Sequence, residues 1–252
     1  MTDADLERAA GWLRLADRVC VLTGAGVSAE SGVPTFRASD GLWEGHHIED
    51  VASPDGFRRD PALVWNFYNA RRANVATVKP NPGHYALAKL EERWGDRFTL
   101  ATQNVDGLHR AAGSRNVLEV HGSLRRTRCL GCGKVADRGL EPLGPAPACP
   151  QCRGRLRPDI VWFGESLPED VWEAATAAAY ACDVLLVVGT SAVVHPAASL
   201  IPIAKRGRPP GAKVVEVNLA ETEASRLADV GLYGPSGQVL PKLVERLGEP
   251  GA

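Results

Sequence analysis

The sequence predicts an α/β fold, in which a parallel sheet carries helices on both faces and a smaller domain is inserted into the chain. Three observations lead to this prediction. Short apolar runs typical of buried strands alternate with stretches typical of helices, which is the order of a parallel sheet. The first apolar run, residues 19–22, leads directly into a glycine-rich loop. Residues 124–157 are basic, rich in glycine and proline, and contain two Cys-x-x-Cys pairs.

Length and composition argue against several classes of protein. The 252 residues are enough for one large domain, or for a domain with a smaller insertion, whose core needs no disulfide bonds. The net charge of −1 gives no reason to expect a nucleic acid or an anionic membrane as partner. No apolar run approaches the roughly 20 residues that span a bilayer, and residues 1–18 lack the apolar core of a signal peptide. We therefore expect a cytoplasmic protein whose cysteines are thiols or metal ligands.

Local patterns predict the elements in order along the chain. Residues 1–18 have the spacing of an amphipathic helix. Asp60 followed by Pro61 is typical of a helix start, and the proline-rich stretch 79–83 ends that helix. Apolar residues at helical spacing, an alanine-rich stretch and several short apolar runs indicate the remaining elements. In chain order, we expect helices over residues 1–18, 61–75, 84–94 and 172–181, and strands over 19–22, 98–102, 116–120, 184–188 and 213–217.

Polar residues follow these strands at their carboxyl ends. Because ligands of parallel sheets gather beyond the carboxyl ends of the strands, these clusters predict a binding cleft at that edge. Ordinary turns are also polar, but they seldom combine carboxamides, hydroxyls and glycines so regularly. The clusters are residues 24–28, residues 103–106, His121, residues 189–191 and Asn218.

The loop after the first strand contains Gly24, Gly26 and Ala29 in the spacing G-x-G-x-x-A. Glycines allow a backbone to approach a pyrophosphate, and the N–H groups of a helix start can point at it. Gly32 and Pro34 end that helix early. A dehydrogenase would have a second strand that ends in an acidic residue about 20 residues further on, and none is visible. The loop therefore indicates dinucleotide binding without hydride transfer, and the alternative is a tight strand-to-helix turn that binds no ligand.

The two matched Cys-x-x-Cys pairs indicate a tetrahedral zinc site. Four thiolates close the coordination shell and leave no position for water, so the zinc would be structural. The alternative interpretation is four free thiols. Cys20 and Cys182 lie in or beside apolar strands and are expected as buried small hydrophobic residues. The predicted zinc ligands are Cys129, Cys132, Cys149 and Cys152.

Several stretches together resemble the sirtuins, which are NAD-dependent protein lysine deacylases. The stretches are residues 24–37, 102–109, 121–123 with the four cysteines that follow, 161–165 and 189–191. The resemblance extends over about residues 12–245. It implies NAD as co-substrate, one structural zinc ion, and acyl-lysine proteins or peptides as substrates.

The resemblance also implies how the chain divides into domains. A Rossmann-like NAD-binding domain is expected over residues 1–39, 73–123 and 158–252. The small domain is expected to combine a helical insertion, residues 40–72, with the zinc-binding insertion, residues 124–157. The substrate peptide would bind between the two domains.

The implied reaction begins when the amide oxygen of an acyl-lysine attacks the anomeric carbon of the nicotinamide ribose and nicotinamide leaves. His121 then deprotonates a ribose hydroxyl, which attacks the imidate carbon, and water completes the release of free lysine and an O-acyl-ADP-ribose. An imidazole with a pKa near roughly 6.5 suits this task, although a lone histidine is more often an ordinary residue. Asn104 and Asp106 resemble the pair that orders the nicotinamide ribose and carboxamide, and an Asx turn is the alternative.

Further residues match positions at which the family contacts NAD. Arg37 resembles the cation near the phosphates and the leaving group, and a solvated surface arginine is the alternative. Asn218 matches the residue at the adenosine ribose, and Ser236 falls where a loop near adenine is expected. The NAD-binding residues implied by the resemblance are Gly24, Ala25, Gly26, Ser28, Ala29, Phe36, Arg37, Gln103, Asn104, Asp106, Gly189, Thr190, Ser191, Asn218 and Ser236.

Substrate contacts are implied at two places. Tyr68 and Arg71 are three residues apart on one helix face, and together they offer a hydroxyl and a guanidinium to an acyl carboxylate. With the small Ala52 widening the pocket, they resemble the sirtuin subgroup that removes succinyl and malonyl groups. A core tyrosine beside a solvated arginine is the alternative. The peptide itself would pair, as an added strand, with a segment made of Val161, Trp162, Phe163 and Gly164.

Two other functions are compatible with parts of the sequence. A protein mono-ADP-ribosyltransferase would use the same NAD chemistry with a protein side chain as acceptor. A zinc-ribbon module for nucleic acid would use the basic residues around the cysteines. Residues 124–157 contain no aromatic residue for base stacking, so we expect no nucleic-acid partner.

Overall fold

The computed structural model describes residues 2–35, 42–43 and 45–248. A six-stranded parallel sheet with helices on both faces forms the larger part of the fold, and a three-stranded antiparallel sheet lies beside it. The described strands are β1 (Val19–Thr23), β2 (Leu42–Trp43), β3 (His46–His47), β4 (Phe98–Thr102), β5 (Val117–Glu119), β6 (Gly122–Cys129), β7 (Val135–Asp137), β8 (Leu156–Ile160), β9 (Val184–Val188), β10 (Lys213–Asn218) and β11 (Val230–Tyr233).

Ten α-helices are described, and short 3₁₀ turns accompany them. The helices are α1 (Asp3–Leu15), α2 (Gly26–Ala29), α3 (Ile48–Val51), α4 (Pro54–Arg59), α5 (Pro61–Thr77), α6 (Pro82–Trp94), α7 (Leu108–Ala111), α8 (Glu169–Ala181), α9 (Leu200–Lys205) and α10 (Ser236–Leu247). Asp60 begins α5 as predicted, because its side chain accepts a hydrogen bond from the Leu63 N–H at 2.9 Å. The predicted boundary at residue 72 falls inside α5, which runs without a break to Thr77.

The parallel sheet has the strand order β11-β10-β9-β1-β4-β5, and all of its pairs are parallel. Strand β1 lies between β4 and β9, so chain that follows β1 extends the sheet first to one side and then to the other. A crevice forms at such a reversal, beyond the carboxyl ends of the strands. This topology confirms the predicted α/β class. The edge strand β11 and the helix α10 that follows it are not among the predicted elements.

Each face of the parallel sheet has its own hydrophobic core. Alternate residues of a strand point to opposite faces, and β1 accordingly sends Val21 to one core and Leu22 to the other. Helices α1, α6 and α10 cover the first face, and α8 and α9 cover the second. Burial of both faces explains why the strands are continuously apolar in sequence rather than alternating.

A third hydrophobic cluster joins helices α3, α4 and α5 to strands β6 and β8 and to the cysteines beside them. Trp65 and Tyr68 of α5 pack there with Leu124 of β6 and Leu156 of β8. The indole N–H of Trp65 donates to the Leu156 carbonyl at 3.1 Å. Arg72 is buried in the same region, and its guanidinium donates to the carbonyls of Leu124 and Glu141. Segments that are distant in sequence therefore share one core.

In the residues that the structure describes, none of the helices combines the length and the apolar character needed to cross a bilayer.

We expect Leu87→Ala to lower the free energy of unfolding by about 2–5 kcal/mol, because Leu87 is completely buried between α6 and the sheet and its truncation leaves a cavity. The matched control is Leu15→Ala at the end of α1, where the side chain is 88% exposed. Its effect should stay within about 0.5 kcal/mol. Urea unfolding of both variants measures the difference, and equal destabilisation would contradict this assignment of the core.

Candidate functional site

A cleft of about 490 Å³ opens at the carboxyl edge of the parallel sheet and extends toward the third hydrophobic cluster. Most of the residues predicted to bind NAD or substrate line it. They are Gly24, Ala25, Gly26, Ala52, Tyr68, Arg71, Gln103, Asn104, Asp106, His121, Val161, Trp162, Phe163, Gly164, Gly189, Thr190, Ser191 and Asn218. Residues that are far apart in sequence therefore meet in one concave site. Ligand sites usually have this form.

The floor of the cleft is a close backbone contact between the loops after β1 and β9. The Gly26 N–H donates to the Gly189 carbonyl at 2.8 Å, and a Cβ on Gly26 would lie 2.8 Å from the Gly189 Cα. Gly189 has a φ of +58°, and a Cβ there would lie 2.3 Å from the Val27 nitrogen. Only glycine fits at both positions.

This contact corrects one part of the sequence-based interpretation. The N–H groups at the start of α2 were expected to be free for a pyrophosphate, but those of Gly26, Val27 and Ser28 each donate to a backbone carbonyl. Helix α2 has a single turn, and its first N–H groups are used to hold the loop in shape. The glycines of this loop therefore line the cleft, and they also allow the loop after β1 to approach the loop after β9 closely.

Side-chain amides connect the ends of four strands across the cleft. The Gln103 side chain, after β4, donates to the Thr190 hydroxyl at 2.9 Å. The Asn218 side chain, at the end of β10, donates to the Thr190 carbonyl at 2.9 Å. The Gln103 backbone N–H donates to the carbonyl of Thr23, the last residue of β1. The polar residues at the strand ends are thus held together before any ligand binds.

The hydroxyl of Ser28 is the centre of a buried hydrogen-bond network. It donates to the Asp106 carboxylate at 2.8 Å and accepts from the Asn104 amide at 3.0 Å. The Nε2 atom of His84 lies 3.3 Å from the same oxygen, while its Nδ1 accepts the Asn81 backbone N–H. Because Nδ1 is an acceptor, Nε2 carries the hydrogen and donates to Ser28. Ser28 thereby orients the two residues predicted to order the ribose and carboxamide.

Burial raises the pKa of Asp106 above its ordinary value. Hydrogen bonds from the Leu108 N–H and from the Ser28 hydroxyl act in the opposite direction, because they favour the carboxylate. The side chain is 6% exposed and faces the cleft. Asp106 is thus a nearly desolvated carboxyl group whose hydrogen bonds fix its orientation.

A second buried histidine lies beside this network. The rings of His84 and His109 are 4.9 Å apart, and His109 Nε2 contacts the Thr23 hydroxyl at 3.0 Å. Burial lowers the pKa of His84 to about 4, and burial together with the nearby His84 lowers the pKa of His109 to about 3. Both imidazoles are neutral at neutral pH.

His121 lies at the turn from β5 to β6. Its Nδ1 lies 3.2 Å from the Gln103 carbonyl, which can only accept, so Nδ1 carries the hydrogen and Nε2 holds the lone pair. Gly122 has a φ of +84°, and a Cβ there would lie 2.0 Å from the Asp159 carbonyl oxygen. This close approach brings β8 next to the histidine. Burial lowers the pKa of His121 while the bond to Gln103 acts against the shift, so the ring is a neutral base at pH 7.

Comparison with known proteins agrees with this geometry. The Sir2 family matches residues 24–196, which is well over half of the chain. This chain belongs to the Sir2 family.

Curated relatives and solved structures extend the match to nearly the full length. NAD-dependent protein deacylase 2 of Pyrobaculum aerophilum is 52% identical over 238 residues, which cover 93% of each chain. A Sir2 homologue solved in complex with NAD is 44% identical, with a TM-score of 0.88 over 96% of this chain and 93% of that one. A Sir2 protein bound to an acetylated peptide is 32% identical, with a TM-score of 0.84 over 96% of this chain and 98% of that one. The chain is an NAD-dependent protein deacylase.

The zinc site of this Sir2-family enzyme is formed by the four predicted cysteines. Their sulfur atoms all lie within 4.8 Å of one another, with Cys129 and Cys152 3.4 Å apart. The backbone N–H groups of Cys132 and Gly131 donate to the Cys129 sulfur and lower the pKa of that thiol to about 6. Four clustered sulfurs, one of them stabilised as a thiolate, fit a structural zinc ion. Cys20 and Cys182 are buried elsewhere, as predicted.

The far end of the cleft is lined by α5 and by the segment that follows β8. Tyr68 and Arg71 both face the cleft, and the Trp162 indole N–H donates to the Tyr68 hydroxyl at 2.9 Å. Burial raises the pKa of Tyr68 to about 12, so the phenol keeps its proton. The neighbouring Arg72 points instead into the third hydrophobic cluster and binds backbone carbonyls there. Two adjacent arginines therefore serve different parts of the enzyme.

Several predicted site residues lie elsewhere. Ser28 is buried behind the cleft and acts through Asn104 and Asp106, and Ala29 is exposed at the end of α2. Ser236 is buried at the first residue of α10, where its hydroxyl donates to Glu30 at 3.2 Å, so it does not line the cleft. Helix α10 packs against α1 and α6, which draws its first turn away from the cleft. Phe36 and Arg37 lie outside the described residues.

Several residues of the site are not among the predicted functional residues. His84 and His109 belong to the Ser28 network and its neighbourhood, and Thr222, His195 and Glu165 line the cleft. His109 is the last residue of the stretch 102–109 that resembles the sirtuins, but nothing in that stretch indicates that its side chain is buried. These residues reach the site through packing between distant segments, which local patterns do not report.

Loss of zinc is expected to destabilise the third hydrophobic cluster by several kcal/mol, because Cys129 and Cys149 are part of it. We expect Cys132→Ser to lower the zinc content from one ion per chain toward zero and to lower the unfolding temperature. Cys182→Ser, outside the cluster, should keep its zinc. Metal analysis and thermal unfolding measure both effects, and a Cys132→Ser protein with full zinc content would refute the site.

Stability should fall in acid because the unfolded chain binds protons that buried His84 and His109 exclude. The pKa of an imidazole in the unfolded chain is about 6.5, whereas in the folded protein the pKa of His84 is about 4 and that of His109 about 3. Their contribution is complete above about pH 6.5, and each histidine lowers the free energy of unfolding by up to about 1.4 kcal/mol per pH unit below it.

Urea unfolding between pH 6 and 4.5 tests this expectation with two variants. His109→Gln should show a shallower loss of stability with falling pH than the natural protein. His47→Gln, which replaces an exposed histidine, should leave the slope as it is. A slope in His109→Gln identical to that of the natural protein would mean that His109 is not held neutral by burial.

Proposed function

We propose that this enzyme removes succinyl and malonyl groups, in addition to acetyl groups, from the side-chain amine of lysine. The observation that carries the proposal is the position of Tyr68 and Arg71 on the wall of the same cleft that contains His121. A guanidinium binds a carboxylate through two parallel hydrogen bonds, and a phenol adds a third donor. Succinyl and malonyl groups end in a carboxylate, whereas an acetyl group ends in a methyl.

The surroundings of Arg71 favour an anionic acyl group. Arg71 is only 8% exposed, and its guanidinium lies 5.6 Å from the centre of the Phe67 ring. A cation that is mostly withdrawn from water interacts more strongly with an anion than one at the surface does, because the effective dielectric constant is lower. The neutral phenol of Tyr68 adds a donor without adding a competing negative charge.

Ala52 leaves room for the longer acyl chain. It is buried, it lines the cleft, and its carbonyl accepts the Phe163 N–H at 3.0 Å. A larger side chain at position 52 would fill the space between α5 and residues 161–164, the segment proposed to bind the peptide. Ala52 therefore combines a small side chain with a backbone group that holds the opposite wall.

The residues at the sheet edge fit NAD as co-substrate. Amide and hydroxyl groups of Gln103, Asn104 and Ser191 line a concave cavity at the carboxyl ends of the strands, beside Asp106. NAD supplies an anomeric carbon from which nicotinamide departs and to which the acyl-lysine oxygen adds. Asn104 and Asp106 would orient the ribose and carboxamide, and Asn218 would contact the adenosine ribose.

His121 is proposed as the general base. Its Nδ1 hydrogen is engaged by the Gln103 carbonyl, so the Nε2 lone pair is available to take a proton from a ribose hydroxyl. The lowered pKa keeps this ring neutral at pH 7. Activity that depends on this base should rise with pH as His121 loses its proton, with a midpoint below about 6.5.

The substrate peptide is proposed to lie along residues 161–164. Three backbone N–H groups of this segment are already used inside the protein: Val161 donates to His121, Trp162 to the Glu165 carboxylate, and Phe163 to Ala52. Pairing with a peptide strand would therefore rely on the carbonyl groups and on Gly164. Main-chain pairing of this kind tolerates many peptide sequences.

The proposal is tested by incubating the enzyme with NAD and matched acetyl-, succinyl- and malonyl-lysine peptides. We expect nicotinamide, free lysine peptide and the corresponding O-acyl-ADP-ribose, identified by mass spectrometry, from all three peptides. ADP-ribose attached to a protein side chain would indicate the transferase alternative instead. Removal of acetyl groups alone would overturn the proposed acyl range.

Arg71→Met should lower kcat/KM for the succinyl peptide about 100-fold while much of the deacetylation persists, because a charge-assisted hydrogen-bond pair to the carboxylate is lost. Arg58→Met, which removes an exposed arginine of α4, is the charge-matched control and should leave the ratio of the two activities as it is. Equal loss of both activities in Arg71→Met would refute the pairing of Arg71 with the acyl carboxylate.

A further inference from the structure

The hydroxyl of Tyr68, in the wall of the cleft, is held by a hydrogen bond from another segment. It accepts a hydrogen bond from the indole N–H of Trp162 at 2.9 Å. Both side chains are almost fully buried, with exposures of 0% for Tyr68 and 2% for Trp162. The bond joins α5, which carries the tyrosine, to the segment after β8, which carries the tryptophan.

The direction of this bond decides what the phenol can do. Indole is a donor only, so the Tyr68 oxygen must act as the acceptor. A phenol O–H prefers to lie in the plane of its ring, and an N–H donor on one side of the oxygen favours placing the proton on the other. Among the described residues, the Tyr68 proton has no acceptor of its own, so it is available to a group in the cleft.

Trp162 is itself held from two directions. The Arg157 guanidinium lies over the indole, 3.5 Å from the ring centre, and Phe57 packs against the indole at 5.3 Å between ring centres. Arg157 forms two hydrogen bonds with the Glu165 carboxylate, at 2.6 and 2.9 Å. Glu165 also accepts the backbone N–H of Trp162 at 2.9 Å. Ring and backbone of the tryptophan are thus fixed by one ion pair.

We propose that Trp162 is a positioning residue for acyl specificity, whose indole N–H holds the Tyr68 hydroxyl as a donor toward an acyl carboxylate. The inference rests on the proposed desuccinylase and demalonylase function and deepens it. Arg71 supplies the charge that binds the carboxylate, Tyr68 supplies a neutral donor, and Trp162 determines the direction of that donor. Arg157 and Glu165 act one step further away by immobilising the indole.

The test is a double-mutant cycle on the ratio of kcat/KM for succinyl and acetyl peptides of the same sequence. Trp162→Phe removes the N–H and keeps an aromatic ring, and Tyr68→Phe removes the hydroxyl that receives it. We expect each single variant to lower the ratio about tenfold, mainly through KM for the succinyl peptide. Trp162→Phe added to Tyr68→Phe should lower the ratio no further, because the tryptophan acts through that hydroxyl.

A purely structural role gives a different pattern. If Trp162 only fills space, Trp162→Phe will change the ratio by the same factor with and without the Tyr68 hydroxyl, and the inference is overturned. An unchanged ratio in the single variant overturns it as well. If Trp162→Phe does not fold, Glu165→Gln provides the second test, because it weakens the Arg157 ion pair without removing the indole. Its effect on the ratio should likewise disappear in the Tyr68→Phe background.

Failure of the inference and failure of the proposed function give different results. If the natural enzyme removes succinyl groups and Arg71→Met abolishes this, an unchanged ratio in Trp162→Phe refutes the positioning role alone. If the natural enzyme leaves succinyl peptides untouched, the proposed acyl range is wrong and the role of Trp162 fails with it.

Discussion

The contact between Gly26 and Gly189 is the constraint on which the cleft depends. It joins the loop after the central strand β1 to the loop after β9 at a distance that leaves no space for a Cβ. The strands themselves are held by parallel pairing, and this contact, together with the Gly24 N–H bond to the Val188 carbonyl, closes the gap between the ends of β1 and β9. Thr190, one residue beyond Gly189, then receives the side chains of Gln103 and Asn218. Four strand ends become one rigid surface.

The three-stranded sheet of β6, β7 and β8 completes the site through a few connections. Strand β6 begins beside His121 and ends at Cys129. Strand β8 follows the cysteine pair 149/152 and leads back to residues 161–164. The cysteine cluster at one end of these paired strands therefore restrains His121 and the segment 161–164 at the other. Arg126 strengthens the connection, because its guanidinium lies between Glu119 of β5 and Asp159 of β8, at 2.6 and 2.9 Å.

Two neighbouring arginines show that packing, and not residue type, decides which side chain faces the cleft and which is buried in the protein. Arg71 and Arg72 are adjacent in α5, yet one faces the cleft and the other is buried against the zinc-binding segment. Their spacing from Tyr68 distinguishes them in part, since residues three apart share a helix face. The carbonyls of Leu124 and Glu141 that accept hydrogen bonds from Arg72 belong to a distant segment, and no helical pattern reveals them.

Much of the site was predictable because its residues are defined by neighbours in sequence. The cysteine pairs, the strand ends and the cap at Asp60 depend on local spacing, and the structure places all of them as expected. The glycine loop lines the cleft as predicted, but its N–H groups are not free for a ligand. They donate to backbone carbonyls, one of them in the loop after β9, and this contact cannot be read from the sequence. Ser236 was expected near the cleft, and the packing of α10 against α1 and α6 instead places it beside Glu30.

The sequence by itself determined the parallel α/β class, the four clustered thiols and the edge of the sheet at which a ligand would bind, because each follows from periodicity or spacing within a short segment. Tertiary structure alone decided that Ser28 orients Asn104 and Asp106, that His84 and His109 are buried neutral, and that Trp162 meets Tyr68. Each of these depends on a hydrogen bond or ring contact between segments far apart in the chain. Such contacts exist only once the two faces of the sheet and the third cluster have packed, since packing sets which distant atoms come within hydrogen-bond distance.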